Sequence, residues 1–320
     1  LSGVRFGSRF RAGRFGALCI NLVAGGFVLL TSPPAQAQDL APRAYLITPV
    51  SSSAITLADS YSTGSVFTDP SVAIEDALAR FHTQTISYYY SFDLLGRSAN
   101  ITALVPYALG TVRASIVDQD RKAYRSGLAD SRIRFSMNIK GGPAMTADAF
   151  SSWREKGLIG VSFTAILPTG QYDSGRLVNI GNNRFAFKPE IGLSRRWNRL
   201  ALEGYGSAWF FASNYTWFPG TSRRTQEPIG AGEAHLTYYV SRRMWASLDG
   251  NFWWGGRSTV NGQRNADIER NSRTGFTVAI PVSRRDSIKF SYATGTYVTI
   301  GGAYTTLSVA WQYSWIGKAD

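Results

Sequence analysis

Leu307-Ser308-Val309-Ala310-Trp311-Gln312-Tyr313-Ser314-Trp315 alternates without a break. Leu307, Val309, Trp311, Tyr313 and Trp315 fall on one face, Ser308, Ala310, Gln312 and Ser314 on the other. Successive side chains of an extended strand point to opposite sides, so this order produces one oily surface and one small or polar surface.

The same parity recurs upstream. Phe185, Phe187, Pro189, Ile191 and Leu193 alternate with Arg184, Ala186, Lys188, Glu190 and Gly192; Ile133, Phe135, Met137 and Ile139 alternate with Arg132, Arg134, Ser136 and Asn138. Met244, Ala246, Leu248, Phe252 and Trp254 face away from Ser247, Asp249 and Asn251. Further runs lie at Ile159 to Leu167, Phe276 to Val282 and Ile288 to Tyr292. A secreted sandwich also alternates, but with shorter strands. Runs of about ten residues suit a tilted strand crossing a membrane.

The links alternate as well. Tight turns are expected at Asp93 to Arg97, Arg195 to Arg199, Ser241 to Arg243 and Ser283 to Asp286, and long polar loops near 110–125, 169–182, 213–226 and 256–270. Short periplasmic turns and long extracellular loops are the pattern of outer-membrane barrels. The expected fold is all-β: a single antiparallel transmembrane barrel of about twelve strands over 54–316, with both barrel termini in the periplasm. One link, Gly141 to Lys156, is long on the short-turn side and is expected to carry a short helix against the barrel mouth.

At the N-terminus, Arg5, Arg9, Arg11 and Arg14 precede the apolar run Phe15 to Leu30 and the exit Ala35-Gln36-Ala37. This order predicts a cleavable signal peptide over 1–37; the alternative, a membrane anchor, is disfavoured by Asn21, Gly25 and Gly26 within the run. Residues 38–53 read as a leader or plug segment and 317–320 as a C-terminal tail. Cys19, the one cysteine, lies in the apolar run of the expected signal peptide, so disulfide frameworks and thiolate chemistry are excluded from the mature chain.

If the apolar parity meets lipid, the other faces the lumen. That places Arg132, Arg134, Arg184, Lys188, Glu190, Glu203, Glu233, His235 and Asp249 inside, joined by Lys140, Arg273 and Lys289. Buried charges need water or partners, so they either line a permeation path or pair across strands to brace the wall. Lys188 and Glu190, two apart on one face, favour bracing. Arg132, Arg134, Arg184 and Lys188 are the candidate solute contacts, with the loop Pro168 to Asn182 shaping the entrance. Tyr89, Tyr205, Trp209 and Trp245 would line or fill the interior. Trp197, Trp254, Trp311, Tyr313 and Trp315 are expected at the membrane interfaces, where amphipathic rings concentrate.

The surplus of 34 Lys+Arg over 21 Asp+Glu sits at strand turns, not in a stripe interleaved with exposed aromatics, which argues against nucleic acid. There is no H-E-x-x-H, P-loop or G-x-S-x-G, and Glu233-x-His235 lacks a third metal ligand. Gly204-x-Gly206 and Gly230-x-Gly232 have no following helix and read as small outward strand positions. No metal or cofactor is implied, and the chain is not read as an enzyme. The expected partners are outer-membrane lipid and lipopolysaccharide, the barrel-assembly machinery and a small solute. The alternatives to a channel are an outer-membrane hydrolase using His235 and a structural or adhesive barrel.

Taken in order, SGLADSRIRFS from Ser126, PTGQYD from Pro168, NIGNNRFAFKPEIGLSRRW from Asn179, EPIGAGEAHLTYY from Glu227, WASLDGNFWWGGR from Trp245 and SVAWQYSW from Ser308 resemble the outer-membrane transporter family labelled for the MetA (meta-cleavage) pathway of phenol degradation. The resemblance implies a barrel in the outer membrane and uptake of aromatic or other hydrophobic compounds, and it brings no catalytic residues with it.

Overall fold

The computed structural model describes residues 40–67, 74–116 and 119–317. The expected signal peptide, Gln38 and the last three residues lie outside the described residues. Strands β1 (Ser52–Phe67), β2 (Ile74–Leu94), β3 (Arg97–Ile116), β4 (Gln119–Leu128), β5 (Arg132–Lys140), β6 (Gly157–Ile166), β7 (Ala186–Trp197) and β8 (Leu200–Phe211) form the first part of an antiparallel wall in which β4 and β5 both pair with β3. The wall continues with β11 (Ile229–Tyr239), β12 (Trp245–Gly255), β15 (Glu269–Pro281), β16 (Asp286–Val298) and β17 (Gly301–Ile316). The pairing of β1 with β17, from Ser52 opposite Ile316 to Phe67 opposite Gly301, closes the sheet into a barrel.

β4 and β5 are two halves of one stave, which makes twelve staves in all. β3 pairs with β5 as far as Leu104 opposite Arg132, then with β4 from Tyr107 opposite Leu128. Pro106 lies at the break. It has no N–H to give, and its carbonyl accepts from Ala129 N at 2.8 Å. Beyond Arg132 the neighbour of this stave is loop 167–185, tied to it by Gln171 N donating to Leu128 O at 2.8 Å and Arg125 Nε donating to Val178 O at 2.7 Å.

The oily parity faces outward. Leu248 is 66% exposed and Leu307 57%, while the opposite positions Asp249 and Ser247 are buried. For a strand end or edge in water such exposure would invite aggregation; here it is the surface that hydrocarbon covers. The four small positions Gly204, Gly206, Gly232 and Gly250 face outward and floor a shallow groove of about 630 Å³ bounded by Ile191 and Phe252.

Three loop expectations are corrected. Residues 110–116 and 119–125 belong to β3 and β4, not to a loop; β2 and β3 are 21 and 20 residues long. At ~3.3 Å per residue and a tilt near 45°, strands of that length overshoot an apolar band of about 25 Å and stand clear of the membrane. The polar loops near 213–226 and 256–270 are also not irregular. They fold into β9 (Asn214–Trp217), β10 (Ser222–Gln226), β13 (Ser258–Val260) and β14 (Gln263–Arg264), a small sheet in the order β14-β13-β10-β9 above the wall. Polarity hid the pairing because the residues these short strands bury, Asn214, Ser222, Arg224 and Ser258, are mostly polar.

The link after β5 carries α1 (Ala147–Ser152), capped by Thr146, whose side chain accepts from Ala149 N. Phe150 and Trp153 pack beside Ile47, Met145 and Leu158 at the end of the barrel where the tight turns lie. No helix among the described residues is long and apolar enough to cross a membrane.

Candidate functional site

The lumen is built in three levels. Starting from the tight-turn end, Val50 N donates to Met145 O and Ser51 N to Ser91 O, which fastens the segment before β1 to the rim. The chain then runs back across the interior. Ile47 is wholly buried, and the Tyr45 ring lies on Gly160 and Gly192, where an added Cβ would meet it at 2.1 Å. Tyr45 Oη donates to Glu190 Oε1 at 3.0 Å and lies 3.2 Å from Ser162 Oγ. Asn138 Nδ2 donates to Tyr45 O, Ala44 N donates to Tyr205 Oη, and Arg43 N donates to Glu203 Oε2 at 2.9 Å. The Arg43 guanidinium rests on Tyr239 and Trp245. Thus Glu203, Tyr205 and Trp245 from the inward parity all contact this segment.

The second level is a belt of charge. Arg134 reaches Glu190 at 3.4 Å and Ala44 O at 3.2 Å, with its guanidinium over the Tyr45 ring. Lys188 contacts Glu190 at 2.7 Å and Glu233 at 3.5 Å. Strand register explains the rest. Glu203 stands opposite His235, and His235 opposite Asp249, so three titratable groups form one row across β8, β11 and β12. His235 Nδ1 is 2.8 Å from Asp249 Oδ1, its Nε2 is 3.5 Å from Glu233 Oε2, and Thr277 Oγ1 donates to Asp249 Oδ2 at 2.9 Å. His235 is fully buried between the carboxylates of Glu233 and Asp249, and the Asp249 contact ties β11 to β12. No group of three potential metal ligands is gathered among the described residues.

The third level is apolar. Ile166, Ala186, Trp209, Ile229 and Trp253 pack together with Phe211 and Ala231. Trp253 Nε1 donates to Glu269 Oε2 at 2.7 Å, and the Lys188 ammonium sits 5.4 Å from the Trp209 ring. Above it, loop 167–185 crosses the mouth from β6 and β7 to the far wall, where Val178 and Leu177 pack with Phe81, Val112 and Tyr304. Asp130, in the break of the fourth stave, holds the loop: its carboxylate accepts from Gly170 N, Asn182 N and Asn182 Nδ2 at 2.9 to 3.1 Å.

Of the sequence-derived candidates, Arg134, Lys188, Glu190, Glu203, Glu233, His235 and Asp249 come together in the lower two levels. Arg132 opens β5 opposite Ile166. Arg184 sits just before β7, at the mouth rather than in the belt; it is buried, donating to Gln226 and resting on Phe211 at 4.7 Å. The alternation runs on through it, since Phe185 is exposed, stacks on Phe187 and accepts from Ala212 N at 2.9 Å. On the outer surface Trp197 and Trp254 are exposed at opposite ends of their strands, and Trp311, Tyr313 and Trp315 form a row of adjacent rings. The contributions of Arg43, Tyr45, Asp130, Gly160 and Gly192 were not legible as site residues; the one clue was a tyrosine in a short segment with no strand of its own.

The family model described as "Putative MetA-pathway of phenol degradation" matches residues 57–312. No curated protein sequence matches the chain. Among solved structures, the COG4313 outer membrane channel from Pseudomonas putida F1 superposes with a TM-score of 0.73 at 17% identity, covering 87% of this chain and 100% of that one. The NanC porin follows at 0.45 and 8% identity, covering 81% and 98%, and the CymD monoaromatic hydrocarbon channel at 0.43 and 7%, covering 85% and 90%. The first of these likenesses shows the fold; the other two are too distant to add to it. Matched from Leu57 to Gln312, the chain belongs to this family of outer-membrane β-barrels.

Proposed function

We propose that the protein is a passive channel that carries small solutes, aromatic or other hydrophobic compounds and organic anions, across the outer membrane. The observation that supports this most directly is the closed twelve-stave wall with a polar, charged interior, through which the segment around Tyr45 runs. A barrel needed only as an anchor has no use for so many desolvated charges, since each is costly without a partner. The cations of the belt are matched by carboxylates, so Arg134 and Lys188 brace the wall and position Tyr45; solute contact falls to Arg132 and the mouth. Both barrel ends lie on the tight-turn side, which is read as periplasmic, and residues 1–37 as the export signal. The family description, which names phenol degradation, is in keeping with uptake of aromatic compounds, and the name of the COG4313 outer membrane channel with a channel.

The test is single-channel conductance of the refolded protein in planar bilayers, with the Tyr45→Ala variant alongside. Discrete steps that grow on removing the Tyr45 ring support the channel. A folded, heat-modifiable barrel that conducts in neither form overturns it.

A further inference from the structure

Two guanidinium groups at the mouth differ from the buried charges of the belt. Arg184 and Arg224 are 9% and 5% exposed, yet among the described residues neither has a carboxylate within ion-pairing distance. They are neighbours, since Arg184 donates to Gln226, which shares the buried face of β10 with Arg224. Each lies on an aromatic ring, Arg184 4.7 Å from Phe211 and Arg224 4.7 Å from Trp217.

The acids nearby are engaged elsewhere. Asp267 accepts from Ser258 N and Oγ, Glu269 from Trp253 Nε1 and Asn271 Nδ2, and Asp130 from the loop it anchors. Arg184 Nη1, Arg224 Nε and, from the apolar cluster just below, Trp209 Nε1 are among the buried N–H donors left without a hydrogen-bond acceptor. A buried cation with donors to spare is poorly solvated and gains most from an anion. The planar guanidinium matches a carboxylate, and the surrounding Trp209, Phe211 and Trp217 match a flat apolar body. Inorganic phosphate satisfies only the charge, and a neutral phenol only the ring.

We propose that Arg184 and Arg224 form a binding site for an aromatic carboxylate at the extracellular mouth. The assignment of this site to solute capture rests on the channel reading above.

The test is calorimetric titration of the intact detergent-solubilised protein with benzoate, phenol and inorganic phosphate. Benzoate is expected to bind saturably and at least about tenfold tighter than either comparator. Arg184→Gln and Arg224→Gln are each expected to weaken it about tenfold, and the corresponding lysine variants to weaken it less. Benzoate bound no tighter than phenol and phosphate, or unchanged in folded Arg184→Gln and Arg224→Gln proteins, overturns the site. Should the glutamine variants not fold, the wild-type comparison and the lysine variants decide. Conductance measured on the same preparations separates the two readings: a protein that conducts but does not prefer benzoate loses the site and keeps the channel, and one that binds benzoate but never conducts does the reverse.

Discussion

Gly160 and Gly192 face each other across β6 and β7, and the ring of Tyr45 lies on the bare backbone they share. Any side chain at either position would occupy the ring's volume. Gly160→Val and Gly192→Val are therefore expected to expel Tyr45 and to raise conductance as Tyr45→Ala does, with the barrel still folded. Planar-bilayer recordings of the three variants check this; unchanged current in the valine variants would mean that the segment does not obstruct the path.

Glu190 is the acceptor on which Arg134, Lys188 and Tyr45 converge. Glu190→Gln should leave two cations poorly matched and cost a few kcal/mol, at or below the low end of the about 3–5 expected for breaking a fully buried pair, because Lys188 retains 16% exposure. The same change should move ion preference toward anions. Combining it with Lys188→Met should restore part of the stability. Urea unfolding in vesicles and reversal potentials in a salt gradient read the two effects separately.

Phe276 lies mid-strand on the lipid face of β15, stacked 5.7 Å from Tyr292, whereas Val282 follows the same strand at its tight-turn end. Arginine at the first is expected to cost about 2–4 kcal/mol and at the second about 0–1, following depth in the bilayer. Equal costs in vesicle unfolding would show that the strand is not set at the assumed depth.

Asp130 ties loop 167–185 to the fourth stave with three accepted hydrogen bonds. Asp130→Ala should release the loop, speed protease cleavage within 169–182 and leave the barrel heat-modifiable. Limited proteolysis of the folded protein measures it, and an unaltered cleavage rate would show that the packing of Val178 and Leu177 and the hydrogen bonds from Gln171 and Arg125 suffice to hold the loop in place.

The wall was legible because parity is set by each strand separately: Leu307 to Trp315 declares its faces with no help from neighbours. The belt was partly legible for the same reason, since Glu233 and His235 must share a face. Which charges meet depends on register, and His235 opposite both Glu203 and Asp249 is a property of three strands that no single stretch contains. Tyr45 was illegible because its side-chain partners are far away in sequence, as for Ser162 and Glu190, 117 and 145 positions on. Alternation put Arg184 on the buried side but said nothing of its height, which places it at the mouth beside Gln226.

Tyr45 on its glycine seat and the Trp209–Trp253 cluster obstruct the lumen at different heights. They act as resistors in series, so the current gained by removing one is capped by the other.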